Sequence, residues 1–527
     1  MVAAAAEPRQ ATCSCDELNT LAPAAVLGET VARAMRSETS GDTRFWGVLT
    51  ASVLVAASVA VLIIPFPFGG DQSLFSVYAR MISEGSTLYA DVWDVKQPGI
   101  FWFFLLAGSI GGFDEISAHL LEASWWLGGS VLVALGLRSV LARRWIAGLF
   151  PLMSAGLYFG VARSSDLTQI EPVVSLLVFG VTWLLYVSDK PGWVWQAPVI
   201  AGFLTGVIAV FKLLAVLAPF VVLFLVLFRR WRERGSVLRP IWILVYFALG
   251  ASIPLLAVLS WVAANGLADI VWFTWFEYPG QVLGVNPRPL PRLFRSSWTF
   301  AVLLAPLIAL ALARVIRPSK RGRDLTTLTI GAVAGGTLLI VLQLWWTYTF
   351  FVLVVPLAVL AIQGLDDLLD RSKRTLGLGL LLIALLLLPA GYRLATRAND
   401  FTSLLSGSSL EEYQSFNASY QRALEGASLS NVEPGSPIYV LGNPSIMYVL
   451  GADQSIPING WSPELWTQEL WERVAEDLET SDTEALYLSN FSMELSRERT
   501  PWFEERIRAE YVLQTQTEHG QWFQPSP

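Results

Sequence analysis

The sequence predicts a multi-pass α-helical membrane protein with about eleven transmembrane helices and a small C-terminal α/β domain. Apolar residues make up 54% of the 527 residues and charged residues only 15%, which is more apolar surface than a soluble core can bury. The mean hydropathy of +0.51 agrees with this. The formal net charge of -7 argues against a nucleic-acid partner, because binding the phosphate backbone of a nucleic acid requires a basic protein surface.

The N-terminal residues 1–44 lack the apolar core of a cleaved signal peptide and are rich in Ala, Glu, Ser and Thr. This composition is typical of a disordered tail, so we expect the first apolar run to remain as an anchor. We divide the chain into this cytoplasmic tail, a transmembrane module over residues 45–391 and an extracytoplasmic domain over residues 392–527.

The predicted spans are apolar runs long enough to cross roughly 30 Å of hydrocarbon. They cover residues 45–64, 120–141, 145–161, 171–187, 195–211, 213–228, 241–263, 298–315, 326–345, 347–362 and 376–391. The run over residues 99–112 is aromatic and too short for a span, which favours a helix at the membrane interface.

Basic clusters indicate the orientation, because cytoplasmic loops carry an excess of Lys and Arg. With a cytoplasmic N-terminus, the assignment above places every such cluster inside: Arg138, Arg143, Arg144 and the strings RRWRERG (229–235), RPSKRGR (317–323) and RSKR (371–374). The parts that then lie outside the cytoplasm are the loops over residues 65–119, 162–169 and 265–297 and the C-terminal domain. We expect the protein to be located in the plasma membrane.

The C-terminal part changes from aliphatic runs to Asp, Glu, Ser and Thr, which indicates a small folded domain. PIYVLG (437–442) and ALYLSN (485–490) have the pattern of buried strands, and WTQELWERVAEDLE (466–479) has helical periodicity. The final EYVLQTQTEHGQWFQP predicts a hairpin or strand.

Ionisable residues are rare in the predicted spans and concentrated in the outer loops. Ion-coupled transporters need carboxylates near the bilayer midplane, and the sequence offers none there. The first outer loop holds Asp71, Asp91, Asp94, Lys96 and Gln97, and the second holds Arg163, Asp166 and Gln169 followed by Glu171. Two acidic clusters at one membrane face offer a general base with a positioning partner.

A string in the first loop has the form G-x-x-x-Y-x-D-x-x-D-x-K-x-P and is made by Gly85, Tyr89, Asp91, Asp94, Lys96 and Pro98. With Asp71 just after the first span, it resembles polyprenyl-phosphate-dependent glycosyltransferases of the GT-C fold. These include the aminoarabinose transferases, the protein O-mannosyltransferases and the RgtA-like bacterial enzymes. The chain departs from them at Asp71-Gln72, where the family often has Asp-Glu, and at Thr347-Tyr348, where it often has His-Tyr.

The resemblance implies an inverting transfer of a sugar from a polyprenyl-phosphate donor to a glycan, lipid or protein acceptor. Asp71 would be the catalytic base, and Asp166 would orient the acceptor or a divalent metal ion, whose requirement stays open. The leaving phosphate needs fixed positive charge, for which the candidates are Lys96, Lys212, Arg288 and Arg292. The candidates for positioning the acceptor or sugar are Asp94, Gln97, Gln169 and Glu171.

Each of these residues also has a purely structural interpretation. Asp71 and Asp166 are both suited to capping the helices that follow them. Lys96 is suited to anchoring the interface beside Trp93, and Lys212 to extending from a helix end towards the headgroups. The arginines that follow Pro287 are suited to headgroup contact. Two other functions stay open: a lipid-linked sugar transporter or flippase without catalysis, and a scaffold that acts through its C-terminal domain.

Overall fold

The computed structural model describes residues 24–234, 237–285, 290–316, 319–343, 346–369, 373–461 and 464–526. The first half of the membrane module contains nine α-helices: α1 (Ala24–Ile63), α2 (Gly70–Ser83), α3 (Gly99–Gly111), α4 (Glu115–Leu137), α5 (Arg144–Ala147), α6 (Leu157–Val161), α7 (Ile170–Val187), α8 (Gln196–Phe211) and α9 (Leu217–Arg234). Its second half contains α10 (Leu238–Ala264), α11 (Ala268–Trp272), α12 (Tyr278–Val285), α13 (Leu290–Leu303), α14 (Ala305–Ile316), α15 (Arg323–Val341), α16 (Val354–Leu369) and α17 (Lys373–Leu405). Short 3-10 helices cover Ser164–Asp166, Leu213–Val216 and Thr347–Leu353, and π-helices cover Leu152–Gly156 and Phe273–Glu277.

Within the described residues, eight helices are long and apolar enough to cross a membrane. These candidate spans are Asp42–Ile63, Glu115–Leu137, Ile170–Val187, Leu213–Glu233, Leu238–Ala264, Arg323–Val341, Thr347–Leu369 and Gly377–Leu405. Large apolar side chains such as Leu132 and Phe294 are 70% and 72% exposed on the helix surfaces, as lipid contact requires. The multi-pass helical class is therefore confirmed.

Three predicted spans differ from the straight helices that the sequence suggested. The run 145–161 is divided between α5, the π-helix Leu152–Gly156 and α6, and the run 195–211 forms only the 16 residues of α8. The run 298–315 bends by 83° between α13 and α14, and it adds a ninth span if the pair counts as one. Among the described residues, eight helices meet the length and composition criteria for a span, or nine if the bent pair counts as one.

The two ends of the helix bundle carry different charges. At one end, Arg229 on α9 pairs with Asp324 at the start of α15 over 2.8 Å, and Arg314 at the end of α14 pairs with Asp367 at the end of α16 over 2.7 Å. The opposite end holds the start of α2, the start of α7 and the end of α8, where the outer loops were predicted. We call these the basic end and the loop end.

The predicted N-terminal tail overlaps the first helix. Helix α1 begins at Ala24, so part of the segment 1–44 continues the first span beyond its apolar part. Residues 1–23 lie outside the described residues. The short run over residues 99–112 forms helix α3, which ends at Gly111 and is too short to cross a membrane.

The C-terminal domain is an α/β unit, as predicted. Its helices are α18 (Leu410–Gln414), α19 (Ala418–Ser428), α20 (Ser445–Leu450), α21 (Gln468–Thr480), α22 (Asn490–Arg499) and α23 (Trp502–Glu510). Its strands are β1 (Pro437–Leu441), β2 (Asp453–Gln454), β3 (Ala485–Ser489), β4 (Tyr511–Gln516) and β5 (Gly520–Pro525). The sheet order is β2-β1-β3-β5-β4, in which β2, β1 and β3 are parallel and β5 is antiparallel to β3 and β4.

The C-terminal domain is attached to the first outer loop through Trp93. The Trp93 backbone amide donates to the Pro457 carbonyl over 2.7 Å, and the Asn459 side-chain amide donates to the Trp93 carbonyl over 3.1 Å. Tyr78 of α2 donates to Gln454 of β2 over 3.0 Å. These contacts place residues 454–459 of the domain directly against the first loop and helix α2.

Candidate active site

The Lys96 side chain is the centre of a cluster of three carboxyl groups at the loop end. Its Nζ lies 2.6 Å from Oε1 of Glu464, 3.4 Å from Oδ1 of Asp94 and 4.0 Å from Oδ1 of Asp71. Nζ also lies 5.1 Å from the centre of the Phe75 ring. The Lys96 side chain is only 15% exposed, so it does not extend outwards as an interfacial anchor would.

The residues of the first-loop string fix the conformation of the loop around Lys96. Asp94 accepts from the Lys96 backbone amide over 2.9 Å, and the Tyr89 hydroxyl donates to the Lys96 carbonyl over 2.7 Å. Tyr89 adopts a positive φ of 74°, and Gly85 has φ of 118°, a conformation that favours glycine. Asp91 accepts from the Thr87 amide over 2.6 Å and closes the turn. The string therefore builds a loop that fixes the Lys96 backbone and directs its side chain inwards.

Burial and neighbouring charges together shift the pKa values of the groups in this cluster. Burial raises the pKa of the Glu464 carboxyl to about 8, although the Lys96 ammonium opposes this. Burial also raises the pKa of Asp94 against the same opposing charge. Burial alone would lower the pKa of Lys96, but Asp94, Glu464 and Asp71 together hold it well above its usual value. Lys96 therefore keeps its positive charge, and the pKa of Glu464 lies well above that of an ordinary carboxyl.

Asp71 is the second residue of helix α2, directly after the first span. The N-cap of this helix is Gly69 and has no side-chain cap, so Asp71 is not the capping residue that the structural interpretation assumed. Its side chain is 15% exposed and faces Lys96. The neighbouring Gln72 donates to the carbonyls of Ser164 and Leu167 over 2.9 Å and 2.7 Å, which joins the two outer loops.

A second charged cluster lies around Lys212 at the end of α8. Its Nζ donates to Glu171 over 2.6 Å and to the Gln343 side-chain oxygen over 2.7 Å. Glu171 is almost fully buried at the start of α7. The Tyr348 side chain lies within electrostatic range of Asp71 and Lys96 in the first cluster and of Glu171 in the second. Lys212 is thus paired inside the protein, not extended towards the headgroups.

The Asp166 carboxylate is occupied by Arg163. The Arg163 guanidinium donates to its two oxygens over 2.9 Å and 3.1 Å, and the Arg163 backbone amide donates over 3.1 Å. Asp166 thereby caps its own 3-10 turn, Ser164–Asp166, and it is 2% exposed. The structure brings its loop beside Asp71 through Gln72, but the Asp166 carboxylate itself is engaged elsewhere.

The remaining predicted residues are spread around the two clusters. Gln97 follows Lys96 and is half-buried, and the buried Gln169 donates to the Ser165 carbonyl over 3.3 Å. The Arg292 guanidinium lies 4.7 Å from the centre of the Trp346 ring, a cation–π distance. Arg288 lies outside the described residues.

The sequence did not indicate Glu464 or Gln343. Glu464 comes from the C-terminal domain and reaches a loop 368 residues earlier, a contact for which no local pattern exists. Gln343 follows helix α15 as a single polar residue in an apolar run, which is a weak but usable signal. Within the described residues, no three His, Cys, Asp or Glu side chains are arranged to hold a metal ion, and Arg163 already occupies Asp166. The part of the chain that the structure describes therefore offers no ready-made site for the divalent ion that the sequence left open.

The fold is similar to that of ArnT, an aminoarabinose transferase from Cupriavidus metallidurans, in its structure bound to undecaprenyl phosphate. The TM-score is 0.61 at 13% identity, and the match covers 90% of this chain and 98% of ArnT. For ArnT in its apo state the TM-score is 0.57 at 13% identity, with 90% and 97% covered. No family model and no curated protein sequence matches the chain. The chain therefore shares the fold of ArnT, one of the aminoarabinose transferases that its first-loop string resembles.

Proposed function

We propose that this protein is a membrane glycosyltransferase that moves a sugar from a polyprenyl-phosphate donor to an acceptor outside the cytoplasm. The observation that carries the proposal is the Lys96 cluster, which places a buried cation 4.0 Å from the Asp71 carboxylate at the loop end of the bundle. A cation beside a carboxylate is what a base-assisted displacement from a phosphate requires. ArnT shares the fold, and its structure bound to undecaprenyl phosphate supports a carrier of the same class here.

The proposed reaction is the inverting transfer that the resemblance implies, with these two side chains as base and cation. Asp71 accepts the proton of an acceptor hydroxyl, and the hydroxyl oxygen forms a bond to the anomeric carbon of the donor sugar. The bond between that carbon and the phosphate oxygen breaks, and its electron pair leaves with the lipid phosphate. Attack and departure on opposite faces invert the anomeric configuration. Lys96 stabilises the charge that develops on the leaving phosphate.

Lys212 and Arg292 are secondary candidates for the phosphate, and Asp94 supports the reaction by positioning Lys96. Asp94 contacts both the backbone and the side chain of Lys96, so it fixes the cation that the phosphate would meet. Asp166 would act by shaping the second loop through its Arg163 pair. We place the loop end outside the cytoplasm and the basic end inside, in accord with the positive-inside rule.

The test is transfer of radiolabelled sugar from a polyprenyl-phosphate donor in membranes that contain the Asp71→Asn variant. Because general-base catalysis contributes about 10²- to 10⁴-fold, we expect the rate to fall by at least about 100-fold at unchanged expression. The matched control is Glu84→Gln, since Glu84 is an exposed carboxylate at the opposite end of the helix that carries Asp71. Undiminished transfer by Asp71→Asn contradicts the proposal.

A further inference from the structure

A cavity of about 370 Å³ lies in the C-terminal domain at the carboxyl ends of strands β1 and β3. In the sheet, β2 lies next to one edge of β1 and β3 lies next to its other edge. The chain runs from β1 outwards to β2 and then crosses over to β3, so the direction of strand addition reverses between β1 and β3. Open α/β sheets bind their ligands in the crevice at this reversal. The volume falls within the range of about 300–1,000 Å³ that is typical of small-molecule sites.

The cavity combines aromatic faces with groups that both donate and accept hydrogen bonds. Its lining includes Ser419, Arg422, Asn443, Trp461, Phe491 and His519. The Phe491 side chain is 60% exposed, so its ring is accessible to a ligand. Sugar rings present apolar C–H faces and a rim of hydroxyl groups, and this lining offers a partner for each.

The helix ends at the cavity favour a neutral ligand over a phosphate. The Ser489 hydroxyl accepts from the Ser492 amide and caps helix α22. Likewise, Oδ1 of Asn443 accepts from the Ser445 amide at the start of α20 over 3.0 Å. Anion sites at helix ends use such amides for the ligand itself. Here side chains of the protein already occupy them.

The cavity adjoins the helix turn that carries Asp71. A Cβ atom at Gly70 would lie 3.0 Å from Cη2 of Trp461 and 3.4 Å from Oδ1 of Asn443. Ser73, one turn further along α2, lies 2.9 Å from Ser445 between their hydroxyl oxygens. The wall of the cavity thus rests on the first turn of α2, where Asp71 follows Gly70 directly.

Trp461 and Glu464 of the domain connect the cavity to the Lys96 cluster. Residues 455–461 end at Trp461, which lines the cavity. Glu464 pairs with Lys96 over 2.6 Å, and its backbone amide donates to the Trp461 carbonyl over 2.7 Å. Ile458 forms a parallel bridge with Trp93 of the first loop. A ligand in the cavity therefore contacts Trp461, which is hydrogen-bonded to a carboxyl partner of Lys96.

We propose that this cavity binds a carbohydrate acceptor and presents one of its hydroxyl groups to Asp71. The inference rests on the proposed function, because it assigns the acceptor class of that transfer as a glycan. Phe491 and Trp461 bind the apolar faces of the sugar rings, and Arg422 and Asn443 bind their hydroxyl groups. The C-terminal domain then selects the acceptor, and the membrane module holds the donor.

The experiment measures acceptor binding directly on the full-length protein in lipid nanodiscs. The probe is the oligosaccharide fraction released by mild acid from the envelope glycan of a strain that lacks the gene, and saturation-transfer difference NMR detects its binding. We expect Phe491→Ala and Arg422→Gln each to weaken binding by about tenfold or more. Ser419→Trp, at the exposed start of α19, fills the mouth of the cavity and should abolish binding.

Two controls separate this inference from the proposed function. Arg473→Gln, an exposed arginine on α21 that does not line the cavity, should bind like the wild type. Asp71→Asn should bind the oligosaccharides normally even where transfer is lost, so binding and transfer are scored independently. Wild-type affinity in the Phe491, Arg422 and Ser419 variants, or no oligosaccharide binding by the wild type, overturns the inference.

Discussion

At the scale of single residues, the pairing of Lys96 with Glu464 determines how the proposed site binds a lipid phosphate. Their side chains form the shortest ion pair of the first cluster, at 2.6 Å, so an arriving phosphate must compete with Glu464 for the ammonium group. Because burial raises the pKa of Glu464 to about 8, this carboxyl gains a proton near neutral pH and loses its charge. Protonation of Glu464 therefore removes the charge of one of the three carboxyl groups around Lys96 and makes its ammonium group easier for the phosphate to reach.

This competition predicts that donor binding depends on pH. As pH rises through about 8, Glu464 loses its proton and pairs more strongly with Lys96, so affinity for a polyprenyl phosphate should fall. Glu464→Gln removes the titrating group and should leave affinity constant over the same range. Equilibrium binding of a fluorescent polyprenyl phosphate between pH 6 and about pH 9.5 tests this expectation. A wild-type curve without this fall contradicts it.

The second cluster gives a prediction about stability. Lys212→Met leaves the buried Glu171 without its cation, which should cost roughly 3–5 kcal/mol in the free energy of unfolding. Adding Glu171→Gln to this variant removes the uncompensated charge and should restore most of the loss. Thermal unfolding in detergent compares the two variants. Equal stability of the single and double variants would show that the pair is not a structural unit.

At the scale of elements, helix α2 links the two outer loops and the C-terminal domain. Its Asp71 faces Lys96, its Gln72 holds the second loop and its Ser73 contacts α20. Gln72 stands where the glycosyltransferases that the first-loop string resembles often have Glu. The amide is needed here because it donates to two backbone carbonyls, which an ionised carboxylate cannot do.

The hydrogen bonds of Gln72 in helix α2 predict what happens when this residue is replaced by Glu. Gln72→Glu removes both donated hydrogen bonds and places a charge against two buried carbonyls, so it should destabilise the protein by about 1–3 kcal/mol or more. Transfer should fall as well, because the second loop is released from α2. Thermal unfolding and transfer assays on the same preparation measure both effects. A Gln72→Glu variant as stable as the wild type would contradict this role of the amide.

The elements also show what sequence patterns can and cannot predict. The sequence predicted that Asp71 and Lys96 belong to one site, because both lie in the same outer loop and match the family that this loop resembles. Glu464 was missed because its contact joins residues 368 positions apart through tertiary packing. The run 145–161 was predicted as one straight helix, since hydropathy does not register the π-helix Leu152–Gly156 that interrupts it.

At the scale of the whole molecule, the two ends of the bundle differ in charge and in what covers them. At the basic end, ion pairs connect the ends of neighbouring helices, such as the pair between Arg143 and Asp366 at 3.7 Å. The loop end is covered by the C-terminal domain, which contributes Glu464 to the site. A membrane module that holds a lipid donor and a polar domain that selects the acceptor would meet at this interface.

This arrangement predicts the topology. After replacement of Cys13 and Cys15, the Glu84→Cys and Glu433→Cys variants should react with a membrane-impermeant maleimide in intact cells, since both positions are exposed at the loop end and in the domain. Lys320→Cys, exposed at the basic end, should react only after the membrane is opened. The reverse labelling pattern would invert the orientation that we propose.

The most direct test of the central claim is a structure of the full-length protein with a polyprenyl monophosphate bound. The account predicts a phosphate oxygen within hydrogen-bond distance of Lys96 Nζ, with Asp71 facing the position of the anomeric carbon and Glu464 displaced from the ammonium group. A phosphate bound at Lys212 or at the basic end, with the Lys96–Glu464 pair intact, would contradict it.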